Sequence, residues 1–148
     1  MAKTILKGTY CLLIKLEKDT QIKVGKLGKV NFKKGGYVYV GSALNSMEPR
    51  IKRHLSSDKK LHWHVDYLLA HKDSKITDVI YAVKDAKMEC EVAEIIAEKG
   101  TGVEDFGCSD CKCPSHLFYF ENLDNLKKYC IESYEKLGLT PQTYQKIN

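Results

Sequence analysis

The chain has 148 residues, 43% of them hydrophobic and 29% charged, with a formal net charge of +5. That size and balance point to one globular domain that buries most of its apolar surface, and they exclude a disordered or fibrous chain. No window is apolar over the ~20 residues of a membrane span, and residues 1–8 carry no apolar signal region, so a cytoplasmic location is expected.

Residues 8–16 read as a strand, an apolar run opened by Gly8-Thr9-Tyr10. Residues 20–24 alternate, and residues 27–32 can pair back across Gly25-Lys26, which predicts a hairpin. Gly35-Gly36 breaks the chain before a strand at 37–40. Alternation there puts Tyr37, Tyr39 and Gly41 on one face, with Val38 and Val40 on the other. Ser46 can cap a helix that starts near Met47 and carries Arg50, Arg53 and His54, with Pro49 tolerated in its first turn. Arg50 and His54 are four apart and share a face.

A second helix holds His62-Trp63-His64-Val65-Asp66-Tyr67-Leu68-Leu69, with His62 beside Asp66 and His64 beside Leu68. Residues 76–83 form a strand, and Asp85 caps a helix over 86–99 that Gly100 and Gly102 close. A cysteine-rich loop at 107–114 leads to a strand at 116–120 and a helix from about 123 to 137. Gly138 ends that helix and Pro141 marks a short tail. The order of elements gives an α/β or α+β fold with a small, mostly antiparallel central sheet flanked by helices.

Basic residues gather in two groups: Lys23, Lys26, Lys29, Lys33 and Lys34, then Arg50, Lys52, Arg53, Lys59 and Lys60. Such a set is either a solvated face or a phosphate-facing surface, and its place around the tyrosines and Arg50 favours the second. Glu89 is the notable carboxylate. Val92, Ala93 and Ile96 share its helical face, while Glu91, Glu94 and Glu98 fall on the opposite one. A carboxylate that turns toward core residues needs a partner, either an arginine or a divalent cation such as Mg²⁺ or Mn²⁺.

Cys108-x2-Cys111-x-Cys113-x2-His116 offers three thiols and an imidazole to a tetrahedral Zn²⁺ site. The same residues also suit a tight turn of small buried thiols, or a redox-linked or disulfide role. Cys11, Cys90 and Cys130 are scattered.

Taken together, Gly8-Thr9-Tyr10, the run Tyr39-Val40-Gly41-Ser42-Ala43, Arg50, His54 and Glu89 resemble the GIY-YIG nuclease superfamily. Gly8-Thr9-Tyr10 stands for the first motif and Tyr39-Val40-Gly41 for the second. The resemblance covers residues 8 to 100, with 101–148 as a cysteine-rich C-terminal extension. With the segments around His62 and Cys108, it extends to a branch whose members stand alone or are fused to endonuclease-III-type glycosylases. The tyrosine motifs lie further apart here than in the family, because the hairpin is inserted between them. Asn122 and Asn125 are the only nearby candidates for the family's downstream asparagine.

The resemblance implies a metal-dependent endonuclease acting on nucleic acid, with DNA the expected partner. Tyr10, Tyr39, Arg50, His54 and Glu89 would be catalytic, with Mg²⁺ or Mn²⁺ on Glu89. Lys33, Lys34, Ser42, Arg53, His62 and His64 would contact nucleic acid. The chemistry needs a fork on the phosphate, for which Arg50 is suited, and a proton relay through Tyr10 or Tyr39 if a cation lowers the phenol's pKa. Two other classes stay open: a non-catalytic nucleic-acid-binding module on the same scaffold, and a zinc-stabilised interaction protein centred on residues 108–116.

Overall fold

The computed structural model describes residues 7–43, 47–56, 60–61, 63–84, 86, 88–107 and 115–144. Strand β1 (Gly8–Leu16) is the axis of the sheet and is buried along its length except at Lys15. A strand covered on both faces reads as a continuous apolar run, as Cys11-Leu12-Leu13-Ile14 does. β2 (Thr20–Val24) and β3 (Gly28–Phe32) form the hairpin, joined by one 3₁₀ turn at Gly25–Leu27. β4 (Gly35–Ala43) returns antiparallel to β1. Helices α1 (Met47–Leu55) and α2 (His64–Leu69) follow, then β5 (Ser74–Val83). After α3 (Glu89–Ala97) come β6 (Thr101–Gly102), β7 (Leu117–Phe120), α4 (Leu126–Lys136) and β8 (Gln142–Thr143).

This is an α+β fold. Its six-stranded sheet runs β6-β7-β4-β1-β5-β8, antiparallel at every pairing, while β2 and β3 form a separate two-stranded sheet. Residues after 100 are not an appendage: they supply β6, β7 and β8 to the same sheet.

The period of two divides the sheet into two faces. Tyr10, Leu12, Ile14, Tyr37 and Leu117 face α1, α2 and the hairpin, together with Phe32, Ile51, Val65 and Phe106. Cys11, Leu13, Val38, Val40 and Phe118 face α3 and α4, together with Val92, Ile96, Cys130 and Tyr134. Leu12 and Ile14 are fully buried, so truncating either to alanine costs about 2–5 kcal/mol through lost transfer energy and the cavity left behind.

Several boundaries differ from the sequence reading for identifiable reasons. Gly35 and Gly36 lie inside β4, not before it. A Cβ at Gly36 would fall 2.6 Å from the side chains of Leu123 and Leu126, and one at Gly35 would fall 2.8 Å from the Tyr119 ring. These glycines therefore admit covering side chains rather than break the strand. Helix α2 starts at His64 because Trp63 is extended and its N–H donates to Asp66 Oδ2 at 2.8 Å. Helix α4 starts at Leu126 because Asp124 N bonds back to Asn122 Oδ1 at 2.8 Å, closing a turn first. Helix α3 starts at Glu89, with Met88 as its N-cap residue. The tail after Pro141 becomes β8. The expected caps Ser46 and Asp85 lie outside the described residues.

Candidate active site

Tyr10 stands at the centre of a buried polar cluster. It lies opposite Gly41 in the β1–β4 register, and a Cβ at residue 41 would fall 2.6 Å from both its Cζ and its hydroxyl. A glycine is needed there because the phenol lies directly against the β4 backbone. The Tyr10 hydroxyl is 2.8 Å from His54 Nε2, and both residues are 2% exposed. Burial pushes the Tyr10 phenol well above its ordinary range and Tyr39 adds to this, while the charge of the nearby Arg50 guanidinium pulls the other way. At Tyr10 desolvation of the phenol outweighs the charge of the Arg50 guanidinium. A phenol held neutral is a donor, and His54 Nε2 is the acceptor in reach. Tyr39, half-buried on the same face, has its ring 6.2 Å from that of His54.

Arg50 reaches the end of β4 from α1. Its Nη1 donates to the Ser42 carbonyl oxygen at 2.8 Å. Glu89 reaches the same residue from α3: the Ser42 hydroxyl donates a short hydrogen bond to Glu89 Oε1. Ser42 alternates with Gly41 and so faces the α3 side, while Tyr10 and Gly41 face the α1 side. Arg50 and Glu89 thus converge on one serine from the two sides of the sheet. Glu89 Oε2 lies 3.6 Å from His116 Nδ1, with the glutamate side chain 21% exposed. Burial holds the His116 imidazole below its usual pKa, with the Glu89 charge opposing. Glu91, Glu94 and Glu98 are exposed, as the helical wheel requires.

A match to the family described as a domain of unknown function, DUF123, runs over residues 9–139 and so takes in all of this cluster. The chain belongs to the DUF123 family. No curated protein and no solved structure matches it. The span of the DUF123 match also joins residues 8–100 to the strands and helix that follow, consistent with their sharing one sheet.

Other expected site residues of the DUF123 chain have structural work. Arg53 makes a two-pronged bond to the fully buried Asp66, 2.9 Å to each carboxylate oxygen, and Nη2 also donates to the Lys60 carbonyl at 2.8 Å. Its fork closes α1 onto α2. His64 Nδ1 accepts from Gly107 N at 2.8 Å, which ties the 103–107 loop to α2, and burial lowers its pKa. Lys33 and Lys34 are exposed; their carbonyls accept from the Tyr37 and Tyr119 hydroxyls at 2.7 and 2.8 Å. His62, Cys108, Cys111 and Cys113 lie outside the described residues. Of the proposed zinc ligands only His116 is described, and its Nδ1 faces Glu89. Cys90 is disulfide-bonded, while Cys11 and Cys130 are free and buried.

One neighbour of the cluster was not singled out in the sequence reading. The Trp63 ring lies 5.0 Å from the Arg50 guanidinium carbon and 4.3 Å from that of Arg53, with His54 against it at 5.4 Å between centroids. Both guanidinium carbons lie within cation–π range of that ring. Its signal was present as the chain's single tryptophan, set just before a helix.

Among the described residues no three His, Cys, Asp or Glu side chains converge as a metal cage. Glu89 is the carboxylate that the described residues bring to the cluster. One carboxylate, with waters and phosphate oxygens completing the shell, is a donor set that Mg²⁺ or Mn²⁺ would accept.

Proposed function

We propose that this DUF123 domain is a metal-dependent endonuclease that hydrolyses phosphodiester bonds in DNA. The observation that carries the reading is the convergence of Arg50 and Glu89 on Ser42, beside the Tyr10–His54 pair. The Ser42 carbonyl engages one Arg50 donor, and the remaining donors of the guanidinium suit the non-bridging oxygens of a phosphate. Trp63 lies in cation–π range of the same guanidinium. A Mg²⁺ or Mn²⁺ ion on Glu89 would neutralise phosphate charge and stabilise the leaving oxygen.

The proton path follows from the neutral phenol. A water oxygen attacks phosphorus and its proton passes to the Tyr10 oxygen as the Tyr10 proton passes to His54 Nε2. As the water oxygen bonds to phosphorus the P–O ester bond breaks, and the leaving oxygen takes its proton from solvent water to become the alcohol, while His54 returns the proton it received to solvent. No free phenolate forms, which suits a phenol whose pKa burial has raised. Tyr39 and the exposed Lys33 and Lys34 are the further contacts of this reading.

The test is a panel of labelled single-stranded, duplex, nicked and branched DNAs incubated with Mg²⁺ or Mn²⁺. Metal-dependent cutting that Arg50→Ala and Glu89→Gln both remove is the expected result. Cutting that survives Glu89→Gln in a preparation free of contaminating nuclease overturns the mechanism. Binding without cutting across the panel moves the domain to a non-catalytic nucleic-acid module.

A further inference from the structure

The hairpin between β1 and β4 has two unlike faces. Val24 and Phe32 are buried and Ile22 and Val30 pack against the same core. Phe32 meets Phe106 edge-on at 6.2 Å, Phe106 meets Tyr39 at 6.5 Å, and Tyr39 meets His54 at 6.2 Å. The hairpin is thereby fixed, through an aromatic chain, to the face that carries the Tyr10–His54 pair. The other side presents Gln21, Lys23, Lys29 and Asn31, all exposed.

The register turns these four residues into two cross-strand pairs, Gln21 opposite Asn31 and Lys23 opposite Lys29. The amides are joined, Gln21 Nε2 donating to Asn31 Oδ1 at 3.0 Å. The lysines are like charges placed directly opposite, an arrangement that weakens a hairpin. Among the described residues neither lysine has an acidic partner. Residues 20–34 contain five lysines and no aspartate or glutamate. The folded chain thus holds a repulsive pair on a rigid ribbon, and an external anion would relieve it.

We infer that this ribbon enters the major groove of duplex DNA, with Lys23 and Lys29 on phosphates and the Gln21–Asn31 pair at the base edges. This deepens the nuclease reading, on which it rests for the substrate, by naming that substrate as B-form duplex. The dimensions agree: a two-stranded ribbon fits a groove about 12 Å wide, and a five-residue strand spans about 17 Å of it. Asn and Gln amides match the donor–acceptor edge of adenine there. The major groove of A-form RNA is too narrow for such a ribbon.

The test is binding to one sequence as duplex DNA, duplex RNA and single strand, in EDTA so that no cutting intervenes. Wild type is compared with Lys23→Gln/Lys29→Gln, Lys23→Glu and Gln21→Ala/Asn31→Ala. The double glutamine variant should lose on the order of ten-fold in duplex DNA affinity, with its salt slope shallower by about 2. Lys23→Glu should lose affinity while its melting temperature equals or exceeds wild type, because the introduced carboxylate would face Lys29 across the ribbon. That combination separates lost contact from lost fold. The alanine pair should flatten preference among duplex sequences.

Unchanged affinity and salt slope in the folded lysine variants, or duplex RNA bound as tightly as duplex DNA, overturns the inference. A wild type that binds duplex through the hairpin yet never cuts with Mg²⁺ or Mn²⁺ retires the nuclease reading and leaves this one standing. A wild type that cuts, with hairpin variants binding normally, does the reverse.

Discussion

The two faces of the sheet each bury a tyrosine, and the contrast separates chemistry from packing. Tyr10 on the α1 side and Tyr134 on the α4 side are 2% and 0% exposed, and burial pushes both phenols well above their ordinary range. Their partners differ. Tyr134 meets the Cys11 thiol, at 3.5 Å, in a pocket of mostly aliphatic side chains. Tyr10 meets an imidazole at 2.8 Å and a guanidinium that also reaches Ser42. A buried, perturbed phenol is thus not itself a sign of catalysis. What marks the Tyr10 face is an imidazole and a guanidinium beside the phenol, the groups that the proposed mechanism uses.

The strongest way to break this contrast is Glu89→Gln, since Glu89 is the carboxylate that reaches the Tyr10 cluster from the α3 side. Cleavage of a DNA substrate should fall by on the order of a thousand-fold, with binding in EDTA nearly unchanged. An amide keeps the hydrogen bond from Ser42 and loses the charge that holds a cation. Cleavage within about ten-fold of wild type would remove Glu89 from the mechanism.

Arg53→Ala probes the neighbouring arginine. It leaves the fully buried Asp66 without its two-pronged partner and should cost about 3 kcal/mol of unfolding free energy, read by denaturant titration. A loss below about 1 kcal/mol, with weakened DNA binding instead, would return Arg53 to the nucleic-acid surface.

The paired changes Tyr10→Phe and Tyr134→Phe sharpen the contrast directly. The first should slow cleavage about a hundred-fold by removing the proton passed to His54. The second removes one weak hydrogen bond to sulfur, so cleavage should be unchanged and stability should shift by less than about 1 kcal/mol. Equal effects on cleavage would erase the distinction.

The smallest effect is on pH. His64 has its pKa lowered by burial and must be unprotonated at Nδ1 to accept from Gly107 N. The unfolded chain binds this proton more readily than the folded one, so stability is full above about pH 6.5 and declines as pH falls below it. Thermal melts from about pH 7.5 to about pH 5, spanning that range, should show the decline. His64→Asn, which keeps an acceptor near the Nδ1 position without titrating, should make it shallower, leaving the share that the buried His116 contributes in the same direction.

Much of the scaffold was legible because it depends on local rules. Period-two alternation placed Tyr37, Tyr39 and Gly41 on one face, and the helical wheel turned Glu89 inward and Glu91 outward. What was not legible depends on contacts distant in sequence. Arg50 and Arg53 look alike on one helix, and only Asp66, thirteen residues beyond Arg53, separates their roles. The phenol pKa followed burial, which a motif does not display. The two-residue strands β6 and β8 exist because a neighbour pairs with them, not because their residues favour extension.

Strand β8 has a practical consequence. Gln142 and Thr143 pair with Tyr81 and Ile80, and Tyr144 N bonds to Val79 O at 2.8 Å, so the tail caps the outer edge of β5. A chain cut after Leu139 would lay bare the backbone donors and acceptors along that margin. Exposed strand margins recruit one another between molecules. The shortened protein should fold around an intact cluster yet self-associate in a concentration-dependent way, which places a fusion or label better before β1 than in place of the tail.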